Sequence, residues 1–157
     1  MPTLLTDELV EFVESGVTNL VATRDAELRP ECMRGAGTLV AQDRKTLTLL
    51  VPEATAGRTL RNVADNGRIA ATFSRPVDHR TVQIKGTVVH SRPATEDERL
   101  AQERYLASLV EQLYWVGLPR SVVRRMRCSP AVALSVRIEA IFDQTPGPGA
   151  GKKLGQR

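Results

Sequence analysis

Few residues in this chain belong to the types on which metal and thiol chemistry depends. It has two cysteines and two histidines among 157 residues. Cys32 and Cys128 are too few for a disulfide framework, and no CxxC motif or closely spaced histidine pair indicates zinc. The GxSxG, HExxH and Walker motifs of serine hydrolases, zinc proteases and nucleoside triphosphatases are also missing. We therefore expect two reduced cysteines, no metal site and none of these three activities.

Aromatic residues are scarce, and long apolar runs are missing. Aromatics make up 4% of the chain, which leaves little surface for stacking bases, so the net charge of +4 does not by itself indicate a nucleic-acid partner. No window approaches the ~18 consecutive apolar residues of a membrane span. The first residues, MPTLLTDELVEF, carry acids where a signal peptide has basic residues. We expect a cytoplasmic protein that binds neither a membrane nor nucleic acid.

The length and composition fit one globular domain with a sizeable core. Hydrophobic residues make up 41% and charged residues 25% of the chain, and a domain of this size buries roughly two-thirds of its unfolded surface. We assign the domain to residues 1–143. Residues 144–157, QTPGPGAGKKLGQR, form a tail rich in glycine and proline, and we expect no packed element there.

The spacing of apolar residues predicts mainly strands. Thr6 caps a first helix that Gly16 ends, and Thr95 with Glu98 forms a capping box before a long helix. In the last strand alternate side chains face one way: Val132, Leu134, Val136, Ile138 and Phe142. The six predicted strands span residues 18–23, 31–40, 46–51, 69–73, 81–91 and 131–142. Because hairpin-length turns join most of them, we expect a mainly β fold, an antiparallel barrel with flanking helices.

A strand, a short helix and a second strand follow in quick succession in TLTLLVPEATAGRTLRNVADNGRIAATF. Gly57, Arg58 and Thr59 open the helix, and Asn66 with Gly67 closes it. The start of a helix has unpaired N–H groups and a partial positive charge, so a glycine and an arginine fork there suit a terminal phosphate. The alternative is an ordinary surface helix with solvated arginines. From these residues alone, both interpretations stay open.

Three segments occur in a characteristic order: RPECMRGAGTLV, LTLLVPEATAGRTLRNVADNGRIAATF and TVQIKGTVV. Their succession over residues 17–91, with the closing strand, resembles the pyridoxamine 5′-phosphate oxidase-like family of FMN-binding split barrels. The resemblance implies a six-stranded antiparallel split barrel of Greek-key type. It also implies a homodimer with FMN at the subunit interface. Residues 144–150 would then be either part of a solvated end or a strap along the partner subunit near the flavin.

The resemblance implies seven flavin contacts: Met33 and Arg34 in the second strand, Leu50 and Val51 at the end of the third, Arg58 and Thr59 at the start of the short helix, and Gln83 in the fifth strand. Met33 with Arg34, and Arg58 with Thr59, would hold the phosphate. The second pair would run along the isoalloxazine ring with its backbone, and the glutamine would reach the pyrimidine edge. A shift of one residue decides whether Arg34 points into or out of the barrel. Gln83 has a second interpretation as an exposed barrel residue.

Flavin chemistry needs few side chains, because the flavin accepts the hydride and the protein orients it. We therefore expect no catalytic acid–base pair, and the implied activity is that of an FMN-dependent oxidoreductase with a small-molecule substrate. True pyridoxamine phosphate oxidases end in a short Arg-Leu-x-Pro-like sequence, whereas this chain ends FDQTPGPGAGKKLGQR. Vitamin B6 phosphate is therefore not the expected substrate. The alternatives are a non-catalytic flavin or haem carrier with the same barrel, and a deazaflavin-dependent reductase.

Overall fold

The computed structural model describes residues 4–155, which contain eight strands and four α-helices. The strands are β1 (Thr18–Arg24), β2 (Pro30–Arg34), β3 (Thr38–Val40), β4 (Thr46–Pro52), β5 (Arg68–Ser74), β6 (Thr81–Pro93), β7 (Ala131–Asp143) and β8 (Lys152–Leu154). The helices are α1 (Asp7–Glu14), α2 (Gly57–Asn66), α3 (Glu96–Trp115) and α4 (Arg120–Arg124), and a 3₁₀ turn spans Glu53–Thr55. No helix in this part of the chain is long and apolar enough to cross a membrane.

The strands form one antiparallel sheet in the order β2-β1-β5-β6-β7-β4-β3, with β8 paired to β7. The sheet closes on itself because β2 and β3 are two halves of one extended segment. The N–H of Gly35 donates to the carbonyl of Asn19 in β1 at 3.0 Å, whereas the N–H of Ala36 donates to the carbonyl of Leu50 in β4 at 2.7 Å. The chain therefore passes from one edge of the sheet to the other at this corner, and the predicted antiparallel barrel with flanking helices is confirmed.

The number of strands differs from the predicted six. The predicted strand over residues 31–40 is divided into β2 and β3 at the corner. Gly37 has a φ of +138°, which breaks the regular extended backbone and which other residues rarely adopt. At Gly35 a Cβ would lie 1.9 Å from Oδ1 of Asn19, so this close approach also requires glycine. The second additional strand is β8.

The tail contains this eighth strand, although we expected no packed element there. Residues 152–154 pair with residues 141–143 of β7, and Leu154 packs against the core of the barrel. The expectation was wrong because β4 pairs only with residues 131–137 of β7, which leaves the rest of that edge open for another strand. Three residues, two of them lysine, give no periodicity that would indicate a strand. The contact of residues 144–150 with a partner subunit stays a prediction.

The last long strand changes phase at a bulge. In β7 the first predicted inward residues are buried: Val132, Leu134, Val136 and Ile138. The register with β6 then shifts between Lys85 and Gly86, which leaves Glu139 as an extra residue. The shift moves the alternation by one position, so Ile141 is buried and Phe142 is not. The predicted inward position of Phe142 is wrong for this reason.

Two apolar layers position the elements around the barrel. Inside the barrel, α1 contributes Leu9, Phe12 and Val13 to the core. Outside it, α3 and α4 pack on each other through a second cluster that consists of Tyr105, Leu109, Val110, Leu113 and Val123. A Cβ at Gly37 would lie 3.7 Å from Cβ of Tyr105, which places α3 over the corner between β2 and β3. The helix α2 packs against β1, β2 and β5.

Candidate functional site

One edge of β2 has no strand beside it. The N–H of Gly35 bonds to β1, and alternate residues of an antiparallel strand face the same neighbour, so the peptide groups of Met33 and Glu31 also face β1. The peptide groups of Cys32 and Arg34 face the other way, where no strand of residues 4–155 pairs with β2. Such unpaired N–H and C=O groups can bind a ligand or another chain. We call the gap between this edge and the start of α2 the split.

Arg58 connects the two walls of the split. Its Nη1 donates to Oε2 of Glu31 in β2 at 3.0 Å. The side chain of Arg58 is 64% exposed and that of Glu31 is 26% exposed. Exposed ion pairs contribute little to stability. Another anion can therefore replace the carboxylate without a large loss of folding free energy.

The start of α2 carries no side-chain cap. Its N-cap residue is Ala56, and the first turn contains no acidic residue. Thr59 in that turn is 1% exposed, and its Oγ1 has no hydrogen-bond partner among the described residues. An uncapped helix start leaves N–H donors and a partial positive charge. With the guanidinium of Arg58, this set of donors fits a phosphate group.

The surroundings of this helix start are not uniformly positive. A cleft of about 510 Å³ lies beside α2 and the turn between β1 and β2, and its charged residues are Arg29, Arg58, Arg61, Asp25, Glu27 and Asp65. Asp25 accepts a hydrogen bond from the backbone N–H of Arg29, and this bond lowers the pKa of the Asp25 carboxyl. Three arginines thus face three acids in the cleft. The charges in the cleft are therefore balanced in number, and the first turn of α2 is the part of its wall that carries no acid.

A row of paired residues crosses the outer face of the barrel from β2 to β7. It consists of Arg34, Leu20, Thr72, Gln83 and Phe142. Nε2 of Gln83 donates to Oγ1 of Thr72 at 3.1 Å. Arg34 therefore points out of the barrel together with Gln83, three strands away. Met33 lies opposite the buried Val21 and points into the core.

The predicted ring contacts at Leu50 and Val51 lie in a paired part of β4. Both residues are fully buried. The N–H of Leu50 donates to the carbonyl of Gly37 at 2.9 Å, and Val51 lies opposite Val132 in β7. Their backbone groups thus have partners within the sheet. Contact of these and the other five predicted residues with a flavin stays a prediction.

The partner of Arg58 and a cavity outside the barrel could not be predicted from the sequence. Glu31 lies 27 positions from Arg58 in the sequence, and no local pattern indicates their contact. The cavity, of about 20 Å³, lies between the β2–β3 corner and the helices α3 and α4, where Tyr105 and Cys128 line it. Burial raises the pKa of Tyr105 to about 12 and also raises the pKa of the Cys128 thiol. Both groups therefore keep their protons at neutral pH.

Comparison with known families agrees with this architecture. The family model described as pyridoxamine 5′-phosphate oxidase matches residues 5–144. The match covers most of the 157 residues, so the chain belongs to the pyridoxamine 5′-phosphate oxidase-like family. No curated protein matches the chain significantly.

Several solved structures share the fold. HupZ of Group A Streptococcus is 23% identical, with a TM-score of 0.58 over 94% of this chain and 100% of that chain. An F420 reductase is 16% identical, with a TM-score of 0.59 over 87% of this chain and 98% of that chain. An FMN-binding protein of Syntrophomonas wolfei subsp. wolfei is 13% identical, with a TM-score of 0.50 over 86% of this chain and 85% of that chain. At these identities the comparison establishes the fold.

Proposed function

We propose that the chain is an FMN-binding flavoprotein that acts as an oxidoreductase on a small molecule. The proposal rests on Arg58, which reaches from the uncapped start of α2 across the split to the side chain of Glu31 in β2. A phosphate in place of the Glu31 carboxylate would meet the same guanidinium, with the N–H donors of the helix start beside it. The family match and the likeness to an FMN-binding protein support the assignment.

The split also offers groups that suit the ring of a flavin. The peptide groups of Cys32 and Arg34 on the open edge of β2 supply donors and acceptors, which match the N–H and C=O groups on the pyrimidine side of an isoalloxazine ring. When bound, FMN supplies the hydride acceptor. The residues of this chain bind and orient the flavin.

A reconstitution series tests the identity of the cofactor. We expect the flavin-free protein to bind FMN roughly tenfold or more tightly than riboflavin, because only FMN carries a phosphate for Arg58. Flavin fluorescence titrations give both dissociation constants. Equal affinity for the two flavins would contradict the phosphate site. A deazaflavin and haem are titrated in parallel, and tighter binding of either would favour the corresponding alternative function.

Glu31→Gln is expected to tighten FMN binding about threefold to tenfold, because the substitution removes a negative charge that competes with the phosphate for Arg58. Riboflavin affinity should change little. The control is Glu27→Gln, which neutralises an acid of the neighbouring cleft without touching Arg58. The same fluorescence titration measures the variants. Weaker FMN binding by Glu31→Gln would show that the carboxylate does not occupy the phosphate position.

We also propose a homodimer with the flavin at the interface. The outer face of the barrel presents Leu20, which is 45% exposed, next to the paired residues Ala22 and Ala70. A second copy could cover this small apolar contact with the same residues across a twofold axis. Light scattering at micromolar concentration is expected to report about twice the chain mass of 17.2 kDa. A monomer that still binds FMN would contradict the proposal.

A further inference from the structure

A groove of about 460 Å³ crosses the outer face of the barrel over β1, β5 and β6. Ala22 and Ala70, which are paired on neighbouring strands, leave room there between longer side chains. The charged residues that line the groove are three cations and one acid: Arg24, Arg68, Lys85 and Glu139. We call this surface the outer groove. Its charge is positive, whereas the cleft beside α2 contains equal numbers of arginines and acids.

The acid of the outer groove is already engaged. Nη1 of Arg68 donates to Oε2 of Glu139 at 2.9 Å. The hydroxyl of Thr87 donates to Oε1 of the same carboxylate at 2.6 Å. Glu139 therefore balances the charge of Arg68, and the other two cations need a different counter-charge.

Those two cations contact neutral groups. Nη1 of Arg24 donates to the carbonyl of Asp25 at 3.1 Å. Nζ of Lys85 lies 5.0 Å from the centre of the Phe142 ring. None of the ion pairs within residues 4–155 includes Arg24 or Lys85. Both positive charges are thus available to an anion.

The outer groove lies apart from the helix start that we assign to the FMN phosphate. Nδ2 of Asn66, the last residue of α2, donates to the carbonyl of Arg24 at 2.8 Å. Arg58 lies in the first turn of the same helix, whose 10 residues span about 15 Å. Its guanidinium contacts Glu31 in β2. The two positive sites of one copy are therefore at opposite ends of α2.

The outer groove also belongs to the face that we propose for the homodimer. Ala22 and Ala70 lie both in the groove and beside the exposed Leu20. A twofold axis at this face brings the same residues of both copies together, so one outer groove lies close to the other. Like charges that meet in a contact weaken it. An anion between the copies would remove this repulsion.

We propose that the outer groove binds a phosphate group where two copies of the chain meet, so that anions promote dimerisation. This inference rests on the proposed homodimer. A phosphate group carries about two negative charges at neutral pH, and its oxygens accept charge-assisted hydrogen bonds from a guanidinium and an ammonium group. Arg24 and Lys85 supply these two donors. The volume of the groove also admits a small organic phosphate ester.

Sedimentation equilibrium of the flavin-free full chain tests the proposal at constant ionic strength. We expect inorganic phosphate in place of chloride to lower the dimer dissociation constant roughly tenfold. Glycerol 3-phosphate is measured in parallel. A larger effect of the ester would support an organic phosphate as the ligand, and an equal effect would support free phosphate. A dimer that neither compound tightens would overturn the inference.

The sign of the salt dependence is a second test. Without phosphate, raising NaCl from about 0.05 to 0.3 M should tighten the dimer, because screening reduces the repulsion between the two outer grooves. If the cations instead paired with acids of the partner subunit, the same salt would weaken the dimer. That result would overturn the inference.

Lys85→Gln should have opposite effects in the two buffers. Without phosphate its dimer should be tighter than that of the wild type, because one repelling charge per copy is gone. With phosphate it should lose most of the tightening. A purely structural role of Lys85 would weaken the dimer in both buffers. Arg24→Gln is expected to behave like Lys85→Gln. The control is Arg125→Gln, which removes the same charge from an exposed position at the end of α4 and should respond like the wild type.

The remaining outcomes also decide the matter. A phosphate effect that both groove variants retain in full would indicate an adventitious ion only and overturn the inference. The phosphate effect should persist in the FMN-loaded protein, and its loss there would assign the outer groove to the flavin phosphate instead. A monomer under all conditions would overturn the homodimer and this inference together. Failure to bind FMN would contradict the proposed cofactor alone, because the salt and phosphate series uses the flavin-free chain.

Discussion

Replacing Gly86 with alanine is expected to lower the free energy of unfolding by about 3 kcal/mol. A Cβ at this position would lie 2.2 Å from the carbonyl oxygen of Arg137 and 2.9 Å from Cγ1 of Val136. The carbonyl belongs to the backbone of β7, beside the bulge at Glu139, so the two central strands of the sheet would have to separate locally. Urea unfolding followed by circular dichroism measures the change.

Gly149→Ala is the matched control. Gly149 lies in the turn before β8, and a Cβ there would meet no atom within 4 Å. The free energy of unfolding of Gly149→Ala should differ from that of the wild type by less than about 1 kcal/mol. All samples need the same protein concentration, since association of subunits adds to apparent stability. Equal unfolding midpoints for Gly86→Ala and the wild type would show that β6 and β7 adjust to the added methyl group.

The helices could be predicted from the sequence because their signals are local. Thr6 accepts a hydrogen bond from the N–H of Leu9 and caps α1. Thr95 and Glu98 form both bonds of the predicted capping box at the start of α3. Each signal depends on residues within three positions of one another. A single sequence contains all the information that such a feature needs.

The errors in the barrel have causes that are distant in sequence. The side-chain direction of Phe142 depends on a bulge that forms opposite Gly86, more than fifty positions earlier in the chain. The strand β8 depends on the length of β4, which leaves part of the edge of β7 unpaired. Alternation within one strand cannot reveal either effect, since both arise from the register between strands.

The candidate site likewise has one part with a local sequence signal and one part that depends on distant contacts. Arg58 and Thr59 could be assigned to a helix start from GRT and the apolar stripe that follows. The open edge of β2 could not, because it exists only when the corner at Gly35 and Gly37 moves the chain from β1 to β4. The contact with Glu31 depends on the same corner. The sequence therefore predicted one wall of the split and not the other.

Arg58→Ala is expected to weaken FMN binding roughly tenfold to a hundredfold, with the fold intact. The loss corresponds to a charge-assisted hydrogen bond, worth about 1.5–3 kcal/mol. Arg58 is exposed and its ion pair with Glu31 is near the surface, so stability should change little. Fluorescence titration gives the FMN dissociation constant, and circular dichroism checks the fold. Arg104→Ala, an exposed arginine of α3, is the control and should bind FMN like the wild type.

A double variant separates two ways in which Arg58 can act. In Arg58→Ala the carboxylate of Glu31 loses its partner, and its charge would repel a phosphate, so part of the lost affinity is repulsion rather than a lost contact. Glu31→Gln with Arg58→Ala removes this repulsion, and comparison with Glu31→Gln alone gives the effect of removing Arg58 when the carboxylate is absent. The difference between this effect and the effect of Arg58→Ala in the wild type is the coupling between the two residues. If Arg58 binds the phosphate, the double variant should still bind FMN roughly tenfold more weakly than Glu31→Gln. Equal affinities would mean that Arg58 only neutralises Glu31, and the phosphate would then have to be placed elsewhere in the split.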